Sequence, residues 1–118
     1  MEQVYTGKMQ PLDAAEWAAI TLTAAANGAI AAATFECADD PLLRDCCKAL
    51  CGVLADKPLY DVMQMNNNAV YYNVEHDLPR DRLYLASIAV QAAKKAALAY
   101  LNANGVPYEG EGLCDCLK

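Results

Sequence analysis

Apolar and polar positions along this chain change period twice, and the elements follow from those changes. Trp17–Ala24 carries Ile20, Thr21, Leu22 and Thr23, β-branched and apolar residues suited to a pleated surface. Asn27-Gly28 follows, a hairpin signal whose two-residue turn form needs positive φ at both positions. Ala29–Cys37 then alternates with period two: Ala31, Ala33, Phe35 and Cys37 share one face, Thr34 and Glu36 the other. Gln3–Lys8 reads as a short edge strand. These segments predict an antiparallel hairpin with one face covered by helices.

After Cys37 the period becomes helical. Asp39-Asp40-Pro41 combines a capping carboxylate with a proline in the first turn, so a helix is expected from about Pro41 to Ala55. At about 100° per residue, Leu42, Leu43, Cys46, Cys47, Leu50, Val53 and Leu54 form one apolar arc, with Arg44, Asp45, Lys48 and Asp56 opposite. Pro58 opens a short helix through about Met65, and Asn66-Asn67-Asn68 caps another over Ala69–Glu75. Asp81 is expected to cap the last helix, with Leu85, Ile88, Ala89, Ala92, Ala96 and Ala99 inward and Gly105 and Pro107 as its stop. The fold class is therefore α+β, a small antiparallel sheet of about three strands packed on several helices. Residues 1–118 read as a single domain ending in a flexible, cysteine-containing tail at about 106–118.

Composition narrows the classes. The chain has 118 residues, 56% of them hydrophobic, and much of that is alanine, so helices can approach closely. No apolar run nears the length of a membrane span, and the first residues lack the basic-then-apolar order of a secretory signal. A cytoplasmic location is the expectation. There a cysteine cluster is more often metal-binding, redox-active or core than a disulfide framework. The net charge of −6 argues against nucleic acid and leaves cations or basic protein patches as easier partners. No glycine-rich phosphate loop or zinc-protease motif occurs, and the chain is not expected to be an enzyme.

The order of elements resembles the NifU/IscU family of iron–sulfur cluster scaffolds. The resemblance runs without a gap from Gly28 to about Ala97 and rests on joint spacing. Its points are the hairpin glycine Gly28, Phe35, the helix start at Asp40, Lys57 with Leu59, Leu78-Pro79, and the Lys94–Ala97 stretch. It implies a three-stranded antiparallel sheet packed on helices, a cluster site at one end, and iron–sulfur assembly proteins as partners. The family's N-terminal helix is absent or much reduced here.

The family's ligands do not carry over. Its Cys-Gly-Asp before the long first strand corresponds to Ala14-Ala15-Glu16, its second cysteine to Asp40, and its His-Cys pair to Tyr84-Leu85. The chaperone-recognised segment reads Leu78-Pro79-Arg80-Asp81-Arg82 and keeps only the first two residues. Cluster scaffolds need soft thiolates. Glu16 and Asp40 retain anionic character, enough for weak hold on a bare ferrous ion but not on a cluster. Asp40 is also a plain helix cap.

The chain's six cysteines lie elsewhere: Cys37, Cys46, Cys47, Cys51, Cys114 and Cys116. Cys47 and Cys51 are one turn apart on one helix, a spacing that presents two thiolates to one metal. Arg44 and Lys48 beside Cys51 are expected to lower its pKa. Cys46 and Cys37 read as core. About nine residues of chain lead from Gly105 to Cys114, a reach of at most ~30 Å. That makes a four-thiolate site of Cys47, Cys51, Cys114 and Cys116 a candidate for zinc or an iron–sulfur cluster. A tail-to-helix disulfide, or independent thiols, are the alternatives. His76 reads as a solvated helix-end residue, and Tyr71, Tyr72 and Tyr84 as packing residues.

Three functions stay open at this point. The chain is a cluster-assembly scaffold using relocated cysteines or assembly partners, an adaptor that kept the fold and lost the metal, or a redox protein using thiol exchange at Cys114 and Cys116.

Overall fold

Residues 3–11, 15–55, 57–74 and 78–103 are described by the structure, a computed structural model. Three antiparallel strands, β1 (Gln3–Met9), β2 (Ala18–Ala24) and β3 (Ile30–Cys37), form one sheet in the order β1-β2-β3. Helices α1 (Pro41–Leu54), α2 (Leu59–Val62), α3 (Asn68–Tyr71) and α4 (Tyr84–Ala103) follow, with a 3₁₀ turn at Arg80–Arg82 before α4. The expected α+β class is present.

The central strand shows the alternation that the sheet needs. Ala18, Ile20, Leu22 and Ala24 are buried, while Ala19, Thr21 and Thr23 are half-buried on the other face. Across the sheet, Ile20 opposes Phe35 and Gly7, and Leu22 opposes Ala33 and Tyr5. Helix α4 packs on β1 and β2, and α1 packs on β3 and α4. Gly7 allows the close approach of α4: a Cβ there would lie 2.2 Å from the Ala92 carbonyl oxygen and 2.4 Å from the Ala96 nitrogen.

The hairpin departs from the two-residue turn. Ala25 N–H donates to the Ala29 carbonyl at 2.9 Å and Gly28 N–H to the Ala25 carbonyl at 3.0 Å, so the loop is Ala26-Asn27-Gly28. Gly28, at φ 84°, takes the left-handed position such a loop requires. The register then shifts: Ala24 pairs with Ile30 but Thr23 with Ala32. Ala31 is the extra residue, and the bulge turns it outward. That overturns its placement on the buried face, while Ala33, Phe35 and Cys37 keep theirs.

Helix α1 follows its predicted arc, with Leu43, Cys46, Cys47, Leu50 and Leu54 fully covered. Helix α4 is buried nearly all round, because the sheet, α1, α2 and α3 all pack on it. Its inner side therefore extends to Ala86, Val90, Ala93 and Ala97, whereas Ala99 is exposed. Asp81 does not cap it. The 3₁₀ turn intervenes, Asp81 stays exposed, and the Leu83 carbonyl accepts from Ala86 N–H at 3.2 Å. The short helices α2 and α3 end well before Met65 and Glu75. No helix among the described residues is long and apolar enough to cross a membrane.

Candidate functional site

The starts of α1 and α4 lie side by side, and the polar residues there form one connected group. Asp40 caps α1 through Oδ1, which accepts from Leu42 N–H at 3.0 Å and Leu43 N–H at 3.3 Å. Its Oδ2 accepts from Arg82 Nη2. The Arg82 guanidinium also lies over the Tyr84 ring, 5.9 Å from its centroid. The Tyr84 hydroxyl donates to the Glu16 carboxylate, 3.2 Å from Oε1 and 3.4 Å from Oε2. Asp40, Arg82, Tyr84 and Glu16 thus form a chain of contacts drawn from three separate stretches of sequence.

The electrostatics are consistent with that linkage. Partial burial pulls Arg82 down, but its bond to Asp40 outweighs this and leaves it raised. Burial, then the Glu16 charge, pushes the Tyr84 phenol up. Both groups hold their protons at neutral pH.

Beside this group lies an open groove of about 420 Å³ lined by Trp17, Phe35, Glu36, Cys37 and Arg44. Ala38 N–H donates to the Trp17 carbonyl at 3.0 Å, which ties the groove's two walls together. The Lys8 ammonium sits 4.8 Å from the Trp17 ring centroid, a cation–π contact. Arg44 is held near Asp39 at 3.9 Å, an exposed pair worth little to stability.

Four of the thiols lie on β3 and α1, Cys37 at the end of the strand and Cys46, Cys47 and Cys51 along the helix. Cys46 and Cys47 are fully covered, and Cys37 and Cys51 half-buried. Burial pushes Cys46 up to about 12, with Asp45 and Asp40 adding to it. Burial also pushes Cys51 up to about 11. This overturns the expectation that Arg44 and Lys48 activate Cys51: its sulfur is turned into the apolar arc, where desolvation outweighs exposed cations. Cys47 is raised further still, chiefly by burial and then by its neighbours Cys37, Cys51 and Cys46. Cys47 and Cys51 share a face as expected. Cys114, Cys116 and His76 lie outside the described residues. No group of three or more metal-binding side chains is assembled among the described residues.

No protein-family model matches the chain, and no curated protein matches it. The functional argument therefore rests on the geometry.

Asp40, at the family's second cysteine, comes together with Glu16 and Tyr84, which stand at its aspartate and histidine; of the other two cysteine positions, Leu85 is buried in the core and Ala14 lies outside the described residues. The donors that Asp40, Glu16 and Tyr84 offer do not fit an iron–sulfur cluster. They are hard oxygens rather than thiolates, and one of them, Asp40, is bonded to the Arg82 guanidinium. Arg82 itself had no role in the sequence reading beyond departing from the chaperone segment. The signal was an arginine two residues before the last helix, in a chain whose other long helix is capped by aspartate. Tyr84 is a hydrogen-bonding member of the site rather than a packing residue. Tyr72, 82% exposed, packs little, because α3 ends at Tyr71 and turns it outward.

Proposed function

We propose that this chain is an adaptor or regulatory binding module of iron–sulfur assembly, one that keeps the scaffold's architecture and works through protein contacts. The observation that carries the reading is the Arg82 bond to Asp40. A fixed guanidinium repels an incoming metal cation at the place where the resemblance puts the ligands. The same end presents charged and aromatic groups, Arg44, Glu36 and Trp17, around an open groove. Such a mixture suits a protein partner.

A second reading, a metal held by relocated cysteines, is favoured by the placement of Cys47 and Cys51 one turn apart on α1. It asks more of the molecule, because Cys47 is fully covered and its thiol resists ionisation. The two readings separate on protein purified without oxygen and supplied with ferrous iron and sulfide, or with zinc. The adaptor retains no stoichiometric metal after desalting and still binds purified assembly partners. A visible cluster spectrum, or bound zinc, that Cys114→Ser and Cys116→Ser abolish would replace it with the relocated site.

A further inference from the structure

One face of the sheet stands open, and its residues fall into three rows. The helices pack on the face that carries Gly7, Ile20 and Phe35. On the other face the strands are in register as Val4-Thr23-Ala32, Thr6-Thr21-Thr34 and Lys8-Ala19-Glu36. The members on β1 and β3 are all exposed and those on β2 half-buried, so this face is open among the described residues. Val4 is 63% exposed. Thr6 and Thr21 hydrogen-bond to each other at 2.8 Å, which uses one hydroxyl donor within the sheet and lowers the cost of covering the pair. The Trp17 ring holds the Lys8 ammonium nearby, 4.8 Å from its centroid.

The charges select a symmetry. Lys8 and Glu36 end the same row on opposite strands, with Ala19 between them. A twofold axis along β2 lays β1 of a second copy over β3 of the first, and every row keeps its place. Lys8 then faces Glu36 of the second copy, and Glu36 faces the second copy's Lys8. Val4 lies over the small Ala32, Thr6 over Thr34, and Thr21 meets its own counterpart on the axis. The alternative twofold runs across the strands. It sets Lys8 over Val4 and Glu36 over Ala32, and leaves both charges without partners. Aligned sheets cross at about 30°, a displacement that the long Lys8 and Glu36 side chains can follow.

We propose that this face is the interface of a homodimer, two copies of the chain stacked sheet on sheet about a twofold axis along β2 and registered by two reciprocal Lys8–Glu36 pairs. Three strands of about seven residues, at ~4.8 Å spacing and ~3.3 Å per residue, span roughly 300 Å² in projection. That is small for a protein interface, so the dimer comes apart on dilution. The ion pairs at its rim set register and partner choice more than strength. Because the axis follows β2, the grooves of both copies, lined by Trp17, Glu36 and Arg44, come to the same end of the dimer. Two copies of a partner site would then stand side by side; that consequence rests on the adaptor reading, and the dimer itself does not.

The test is sedimentation velocity on the full chain from about 1 μM to about 1 mM, with dithiothreitol present so that no disulfide joins the copies. The expected result is a monomer of 12.7 kDa that passes to twice that mass as concentration rises. Lys8→Glu and Glu36→Lys should each weaken self-association at least about tenfold, because like charges then face each other twice. An equimolar mixture of those two variants should recover the dimer, since every facing pair is opposite again. Thr21→Arg, on the axis, should abolish it. Circular dichroism shows whether each variant folds, and the wild-type mass and the exposed Lys8 and Glu36 exchanges are read independently of Thr21→Arg. A chain that stays monomeric over the whole range would overturn the proposal. So would a dimer that a folded Thr21→Arg leaves intact, or single exchanges that mixing fails to rescue. No assembly partner is present in these measurements, so their failure leaves the adaptor reading standing, and partner binding tests that separately.

Discussion

Asp40 divides its carboxylate between two tasks: Oδ1 caps α1 and Oδ2 holds Arg82 at the entrance to α4. The starts of the two longest helices are thereby joined by an ion pair, beside the apolar contact that buried Leu43 and Leu85 make with the core. A residue that the sequence presents as an ordinary cap thus has a tertiary role.

Substitutions at this position should separate those roles. Asp40→Asn keeps an oxygen for the cap and loses the ion pair; Asp40→Ala loses both. Loss of an N-cap costs about 1 kcal/mol, so urea unfolding should rank wild type above Asn and Asn above Ala. Arg82→Gln should resemble Asp40→Asn, and the Asp40→Asn/Arg82→Gln pair should cost less than the sum of the two singles. Additive costs would show that the contact contributes nothing.

Gly7 makes a sharper structural prediction. The two nearest atoms a Cβ would meet at Gly7, Ala92 O and Ala96 N, belong to the α4 backbone, which has no rotamer to move aside. Gly7→Ala should therefore push α4 off β1 and destabilise by about 3 kcal/mol, at the upper end of overpacking costs. Thermal unfolding measures it. A loss below ~1 kcal/mol would mean that strand and helix are not in this close contact.

How much of this was legible beforehand depends on the range of the interaction. The hairpin, the Asp40-Pro41 start and the arc Leu43, Cys46, Cys47, Leu50 follow from local pattern, and all are present. The bulge at Ala31 was not readable, because alanines at 31, 32 and 33 leave the phase of the strand unmarked. The burial of Ala86 and Val90 all round α4 needed the sheet and α1 in place first. At the site, Asp40 and Glu16 were visible as carboxylates, but the Arg82 link spans more than forty residues and leaves no local trace. The failure at Cys51 has another cause. Sequence shows which charges are near a thiol, not which way the sulfur points.

The buried thiols predict a pH dependence with a defined sign. Cys46 is raised from 9.0 to about 12 and Cys51 from 9.0 to about 11, with Cys47 raised beyond them, each chiefly by burial. Above pH 9 the unfolded chain loses these protons while the folded chain keeps them, so stability is full below that pH. It then falls as pH rises through the folded values. Each such thiol contributes a slope of up to about 1.4 kcal/mol per pH unit in that window. Lys94 acts oppositely: burial lowers it, so its contribution improves as pH rises toward 10.5. Urea midpoints measured from pH 8 to 11 should therefore drop, and drop less steeply in Cys46→Ala. A flat profile would mean that the thiols are open to water.

The Tyr84 phenol offers a spectroscopic reading of the same site. Burial and the Glu16 carboxylate both raise it. In an alkaline titration followed by phenolate absorbance, Tyr84→Phe should remove a component from the late part of the curve. Glu16→Gln should move that component to lower pH while leaving the early part unchanged. Loss of signal from the early part in Tyr84→Phe would break the link between Tyr84 and Glu16.

If the guanidinium is what keeps cations from the paired helix starts, removing it should open the place to them. Arg82→Gln leaves Asp40 and Glu16 without the positive charge between them, and hard divalent ions prefer such oxygens. Manganese, followed by its electron paramagnetic resonance signal, should bind Arg82→Gln about tenfold more tightly than wild type. Asp40→Asn added to that variant should abolish the gain. The salt dependence gives a further check, since a gain of electrostatic origin at this half-exposed site shrinks as ionic strength rises. Equal manganese affinity in the wild type and Arg82→Gln would show that Arg82 is structural only, and would take away the main support for an adaptor that has given up its metal.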